Sequence, residues 1–184
     1  MLRPNSLVLD IGARREKIRS DAISLDIDKN ARPDVCASAG YLPFRSDTFD
    51  YVSMLEVIEH LDSEHIGRAL VDCQRVADKL IVSTPNCDSK VWDLIVWPLW
   101  SHTVGREWLG AHKQFFGKES LEDLFAKDFG MEILSRIYSK WNLLILVETR
   151  PAIRALGKDE EIEIGPVIGR GRQIKKSVSL MTEA

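Results

Sequence analysis

The hydrophobic positions of this chain change period several times. Leu7 to Ile11 form a short apolar run that ends in Gly12, the pattern of a buried strand entering a tight turn. "AISLDID", residues 22–28, predicts a second strand with acidic residues at its end, and "DVCASAG", residues 34–40, a weaker third. "FDYVSML", residues 49–55, predicts a fourth strand, and "KLIVSTP", residues 79–85, a fifth that is buried on both faces. Between the fourth and fifth the period shifts to three and four. Ile66, Leu70, Cys73, Val76 and Ala77 make one apolar stripe, predicting an amphipathic helix with Ser63 as its N-cap. A second helix is expected in "KESLEDLFAKDFG", with Leu121, Leu124 and Phe125 on one face and Gly130 near its end. "MEILSRIYS" and "WNLLILVETR" read as two closing strands joined by a hairpin around Lys140 to Asn142.

Strands alternating with helices predict an α/β fold, a parallel sheet covered on both faces with an antiparallel edge. The link from Gly12 to the second strand is about nine residues, short for a crossover, so the first helix should be stunted. The segment from Asp88 to Gly110 is an insertion carrying Trp92, Trp97, Trp100 and Trp108, with Pro98 breaking any helix in it. It reads most simply as a lid over a substrate; a homodimer contact or core packing is the alternative. After Arg150 the chain turns acidic and then basic, with little to build a core. Residues 1–150 are therefore expected to form the domain, with 88–110 as the lid, and 151–184 a mobile or partner-docking extension.

Composition narrows the function. The 184 residues carry a net charge of −3, which argues against broad electrostatic binding to a nucleic-acid duplex while leaving room for a local basic patch such as "GRGRQIKK". The three cysteines, Cys36, Cys73 and Cys87, lack C-x-x-C spacing, as expected of reduced thiols in a cytoplasmic protein. No signal peptide is expected from "MLRPNSLVLD", and "VWDLIVWPLW" is too short to span a bilayer.

In open parallel sheets, ligands bind at the carboxyl ends of strands where the strand order reverses. Three features are expected there: the Gly12 turn; Asp26, sixteen residues beyond Asp10, whose carboxylate suits the two hydroxyls of a ribose; and "SAGYLPF", small residues followed by an apolar clamp for an adenine ring.

"VLDIGA", "LDID", "LPFRSDTFDYVSMLEVIEHL", "CQRVADKLIVSTPN" and "HKQFFGKESLEDLF" occur in this order, and together they resemble the class I S-adenosylmethionine-dependent methyltransferases over about residues 7–150. That resemblance implies a three-layer Rossmann-like sandwich with a seven-stranded sheet in the order 3-2-1-4-5-7-6, the seventh strand antiparallel. By the resemblance, Asp10, Gly12 and Ala13 shape the pocket for the methionine part of S-adenosylmethionine. Asp26 holds the ribose, Ile27 packs on the adenine, and Ser38 and Ala39 meet its edge. Leu42 covers the base, and Met54 and Leu55 border the methyl group. The family's turn has glycines in alternate positions. Here Gly12 is kept, but Arg14 and Glu16 take the second and third places, so Arg14 either reshapes the pocket or pairs with the cofactor's carboxylate.

Glu56, Glu59 and His60, with His112 arriving from beyond the fifth strand, make a set suited to a divalent cation such as Mg²⁺ or Mn²⁺, less typically Zn²⁺. The pattern resembles the metal-binding set of small-RNA 3′-end 2′-O-methyltransferases and of ubiquinone-pathway O-methyltransferases. The metal-free alternative is that Glu59 and His60 shape the helix start and line the substrate pocket. His60 and His112 are also candidate general bases for methyl transfer to a hydroxyl. Asn86 is either a residue of the substrate mouth or a turn former. The expected activity is O-methylation of a small-molecule or lipid-like acceptor. The alternatives are metal-assisted RNA 2′-O-methylation, and a methyltransferase-like subunit that binds a partner without catalysis.

Overall fold

The computed structural model describes residues 3–14, 16–90 and 112–149. The Trp-rich lid and the C-terminal extension expected above lie outside the described residues, apart from 88–90.

Seven strands form one sheet: β1 (Val8–Ile11), β2 (Ile23–Asp26), β3 (Val35–Cys36), β4 (Phe49–Leu55), β5 (Ala77–Pro85), β6 (Glu132–Tyr138) and β7 (Asn142–Glu148). Their order is β3-β2-β1-β4-β5-β7-β6, as expected. The first five strands in this order run parallel; β7 is antiparallel to both β5 and β6. The order reverses between β1 and β4, and open parallel sheets bind their ligands at the carboxyl ends of such strands.

The main helix α1 (Ser63–Val76) forms where the stripe predicted it, burying Ile66, Ala69, Leu70, Cys73 and Val76. Its N-cap is Asp62, not Ser63. The Asp62 carboxylate accepts the His65 N–H at 2.9 Å, and a carboxylate at this end also meets the helix dipole favourably. Ala77, expected on the helix, is extended (φ −141°) and begins β5, so the fifth strand starts two residues earlier than its apolar run. α2 (Lys118–Asp123) is followed by a π-helical turn over Leu124–Asp128. The chain then reverses at Gly130 (φ 60°).

Residues of α1, α2 and the π-turn pack with Leu9, Ile11, Leu25, Val52, Met54, Leu80, Val82, Leu143, Ile145 and Val147 into one core on one face of the sheet. The other face has a small cluster of Val8, Ala22 and Tyr51, with Ile18, Ile81 and Leu146 against it. Among the described residues that face carries no helix. The described residues of the 13–22 link hold only turns and bends, and the β2–β3 link only a single 3₁₀ turn over Lys29–Ala31. The stunted first crossover expected from the nine-residue spacing is thus present.

Candidate active site

The Gly12 turn is held from several sides. The Gly12 N–H donates to Leu25 O at 2.7 Å, and its φ of +73° belongs to the region that favours glycine. A Cβ there would lie 2.4 Å from Val57 Cγ2, so the segment leaving β4 presses on the turn leaving β1. Asp10 is buried, and its carboxylate accepts the Ser53 hydroxyl at 2.6 Å and the Ile18 N–H at 2.7 Å. One bond crosses the β1–β4 reversal and the other pins the loop. Asp10 therefore acts as the anchor of the turn.

Arg14 has φ +46°. The backbone keeps a left-handed conformation where the resembled turn has glycine, at a strain of about 1–2 kcal/mol for a side chain with a Cβ. The Arg14 N–H donates to Asp26 Oδ2 at 3.3 Å, and the Asp28 N–H to Asp26 Oδ1 at 2.8 Å. Two backbone donors thus fix the Asp26 carboxylate at the end of β2. Beside it Ile27 is 76% exposed, an open apolar platform. Ala13 and Ala39 are buried, and Ser38, half-buried, accepts the Gly40 N–H in a turn after β3.

Two residues sit differently from expectation. Leu42 lies in the core under α1, its N–H bound to the Asp72 carboxylate and its carbonyl to Arg75. Ile27 and, next to Leu42, Tyr41 are the exposed large side chains here instead. Met54 is fully buried with Sδ 3.9 Å from Cys73 Sγ. Strand alternation sends Val52 and Met54 toward α1, so of the pair Met54 and Leu55 only half-buried Leu55 remains to border the crevice.

At the ends of β4 and β5 a second group gathers. A 3₁₀ turn over Ile58–His60 carries Glu59 and His60, and the Glu59 carbonyl accepts the N–H groups of Lys113 and Gln114 at 2.8 and 3.1 Å. These bonds bring His112 over the turn. The His60 and His112 rings are 4.5 Å apart, and one ligand atom from each of Glu59, His60 and His112 lies within 4.8 Å of the others. His112 Nε2 is 3.9 Å from Glu59 Oε1, while Glu59 Oε2 is buried without a hydrogen-bond partner. Burial, then the neighbouring Glu56 charge, pushes the Glu59 carboxyl up to about 7. Phe115, half exposed, stacks over His112 at 6.3 Å.

Glu56 stands apart from these three. It has φ +56°, and its carboxylate accepts the Ser83 hydroxyl at 2.6 Å and the Asn142 amide at 2.8 Å. The four-residue set expected from sequence is three residues in space. Asn86 proves to be a turn former: its side chain donates to Ser139 O and accepts from the Asp88 N–H, and its backbone N–H donates to Trp141 O. The Glu56–Ser83–Asn142 tie and exposed Trp141 were not anticipated. Their only signal is the approach of the β6–β7 turn to the ends of β4 and β5, which needs the strand order.

A family model described as "Methyltransferase domain" matches residues 14–79. No curated protein matches the chain in sequence. Among solved structures, a SAM-dependent methyltransferase of Thermotoga maritima aligns with a TM-score of 0.58 at 18% identity, covering 81% of this chain and 84% of that one. A SAM-dependent methyltransferase of Methanosarcina mazei aligns at 0.57 and 16% identity, covering 80% and 93%. One from Archaeoglobus fulgidus aligns at 0.53 and 17% identity, covering 77% and 85%. At such identities the likeness is one of fold, and it agrees with the strand order.

Proposed function

We propose that this chain, which has the class I S-adenosylmethionine-dependent methyltransferase fold and a methyltransferase-domain sequence over residues 14–79, is itself such an enzyme. The observation that carries the proposal is the nucleoside end of the crevice. The Asp26 carboxylate is fixed by the Arg14 and Asp28 N–H groups beside the Gly12 turn and the exposed Ile27. Arg14 keeps the left-handed backbone of the glycine it replaces, so the altered loop retains the shape that aims its N–H at Asp26.

Bound S-adenosylmethionine supplies an electrophilic methyl on a sulfonium. The chain's own part is positioning: Asp26 grips the ribose hydroxyls, Ile27 supports the adenine, and Gly12 lets the backbone come close. The acceptor approaches over the ends of β4 and β5, where the His60–His112 pair removes the proton of an attacking hydroxyl. We favour a hydroxyl on a small or lipid-like molecule, supported by imidazole bases beneath apolar Phe115. The three free cysteines support a reducing, cytoplasmic setting. Among the described residues no helix is long and apolar enough to cross a membrane.

A second reading is supported by the unpartnered Glu59 oxygen beside two imidazoles. A carboxylate and two imidazoles fit Mn²⁺ better than Mg²⁺, and the ion would bind Glu59, His60 and His112 and polarise an acceptor hydroxyl, including an RNA 2′-hydroxyl.

Calorimetry with S-adenosylmethionine and S-adenosylhomocysteine tests the main reading. Both should bind the wild type, and Asp26→Ala should weaken binding at least about tenfold through loss of charge-assisted hydrogen bonds. A folded wild-type protein that binds neither would favour a partner-binding subunit over an enzyme.

A further inference from the structure

Away from the acceptor end, the space left by the two helix-poor crossovers around β2 is an open cavity of about 490 Å³, lined by Arg14, Lys17, Ser24, Asn30, Ala31 and Arg32. A gap left by missing helices should expose the apolar flank of a sheet. This one is lined instead by three cations. Lys17 is committed: it donates to Ala22 O at 2.9 Å and pairs with Asp34 at 2.5 Å. Asp34 in turn accepts the Ser24 N–H and hydroxyl, both at 2.8 Å, and the Lys17 and Ser24 bonds hold its carboxyl well below the usual range. Asn30 is bound to Asp28. The Arg14 and Arg32 side chains have no hydrogen-bond or ion-pair partner among the described residues, and both stand on left-handed backbone, at φ +46° and +55°. Arg32 takes this conformation as the C-cap of the 29–31 turn, which turns its side chain out of the link.

We propose that this cavity, which meets the nucleoside end of the crevice at Arg14, is an anion site that takes a phosphomonoester dianion between Arg14 and Arg32. Lys17 and Asp34 neutralise one another, leaving the two guanidiniums as the unpaired charges of the cavity lining. A dianion balances them, and the guanidinium fork suits two phosphate oxygens at once. The volume exceeds a single phosphate, leaving room for the rest of a small phosphorylated metabolite.

The site does not depend on the cofactor reading, and its test is run without cofactor. The full chain is titrated at pH 8 with inorganic phosphate, glycerol 3-phosphate and dimethyl phosphate, each matched in ionic strength by sodium chloride. Calorimetry and thermal unfolding are read. The two dianions should bind saturably and raise Tm beyond chloride, with the diester monoanion at least about tenfold weaker. Arg32→Gly removes the guanidinium while accepting the left-handed backbone, so it keeps the fold. It should weaken phosphate binding at least about tenfold, with Arg32→Lys between it and wild type. A response to phosphate that chloride reproduces would overturn the site. So would undiminished binding in Arg32→Gly, or dimethyl phosphate binding as tightly as phosphate.

Discussion

Replacing Gly12 by Ala tests the crossing of two loops on which the crevice is built. Three terms set the magnitude. A φ of +73° strains a residue with a Cβ by about 1–2 kcal/mol. The new Cβ would sit 2.4 Å from Val57 Cγ2, while its next contacts, at 3.6 and 3.7 Å, are ordinary. One methyl must therefore move, an overpacking of about 1–3 kcal/mol. Against these, alanine restricts the unfolded chain and returns about 0.4–1 kcal/mol. The net is a loss of about 2–4 kcal/mol, or a fall in Tm of about 5–15 °C for a chain of this size. Urea unfolding should show a lower midpoint at unchanged slope. Val57→Ala deletes the obstructing methyl, so the Gly12→Ala/Val57→Ala double variant should recover the steric part, a coupling of about 1–3 kcal/mol. The backbone part should remain. A Gly12→Ala protein within about 0.5 kcal/mol of wild type, or additive single variants, would rule out the clash with Val57.

Three further outcomes are expected. Arg14→Gly relieves the left-handed strain at an exposed side chain and should leave stability unchanged or raise it by up to about 1 kcal/mol, whereas Arg14→Ala should gain nothing; paired thermal melts decide between them. Glu59 is neutral more readily in the folded state than in the unfolded one, so it contributes most stability below about pH 4.5, and that contribution is lost as pH rises toward 7, by as much as about 3 kcal/mol. Glu59→Gln should flatten this part of the stability–pH curve, and a curve that keeps its slope would count against the buried carboxyl. If the cation reading holds, Mn²⁺ should raise the Tm of wild type at pH 8 and leave Glu59→Gln unmoved.

Patterns local to one element were readable before the structure. The 3.6-residue stripe gave α1, and short apolar runs ending in Gly12 or Asp26 placed β1 and β2. The nine-residue link gave the stunted crossover. Asp62 rather than Ser63 caps α1 because two adjacent capping residues compete and the carboxylate gains from the dipole. What depends on side-chain direction was less readable. Met54 ends an apolar strand beside the crevice, yet its facing is set by strand alternation against α1, and no single-residue property shows that. Glu56 shares a helical spacing with Glu59 and His60, but the chain leaves β4 with left-handed backbone at Glu56, which turns its carboxylate to Ser83 and Asn142. The Arg14–Arg32 cavity was hidden for a similar reason, since its cations come from two links that only the β1–β2–β3 order brings together.

The swap of β6 and β7 bears on how the protein is made. Once Pro85 has left the ribosome, β1 to β5 can pair in order, but the place beside β5 belongs to β7 and not to the next strand synthesised. The free edge of β5, with Leu80, Ile81 and Val82 along it, waits for Asn142–Glu148. At about 5–20 residues per second that is a delay of roughly 3–13 seconds. An open apolar edge of that length is a template for pairing with other chains. The nascent protein is thus most exposed to aggregation, and most in need of a chaperone, between the synthesis of Pro85 and that of β7.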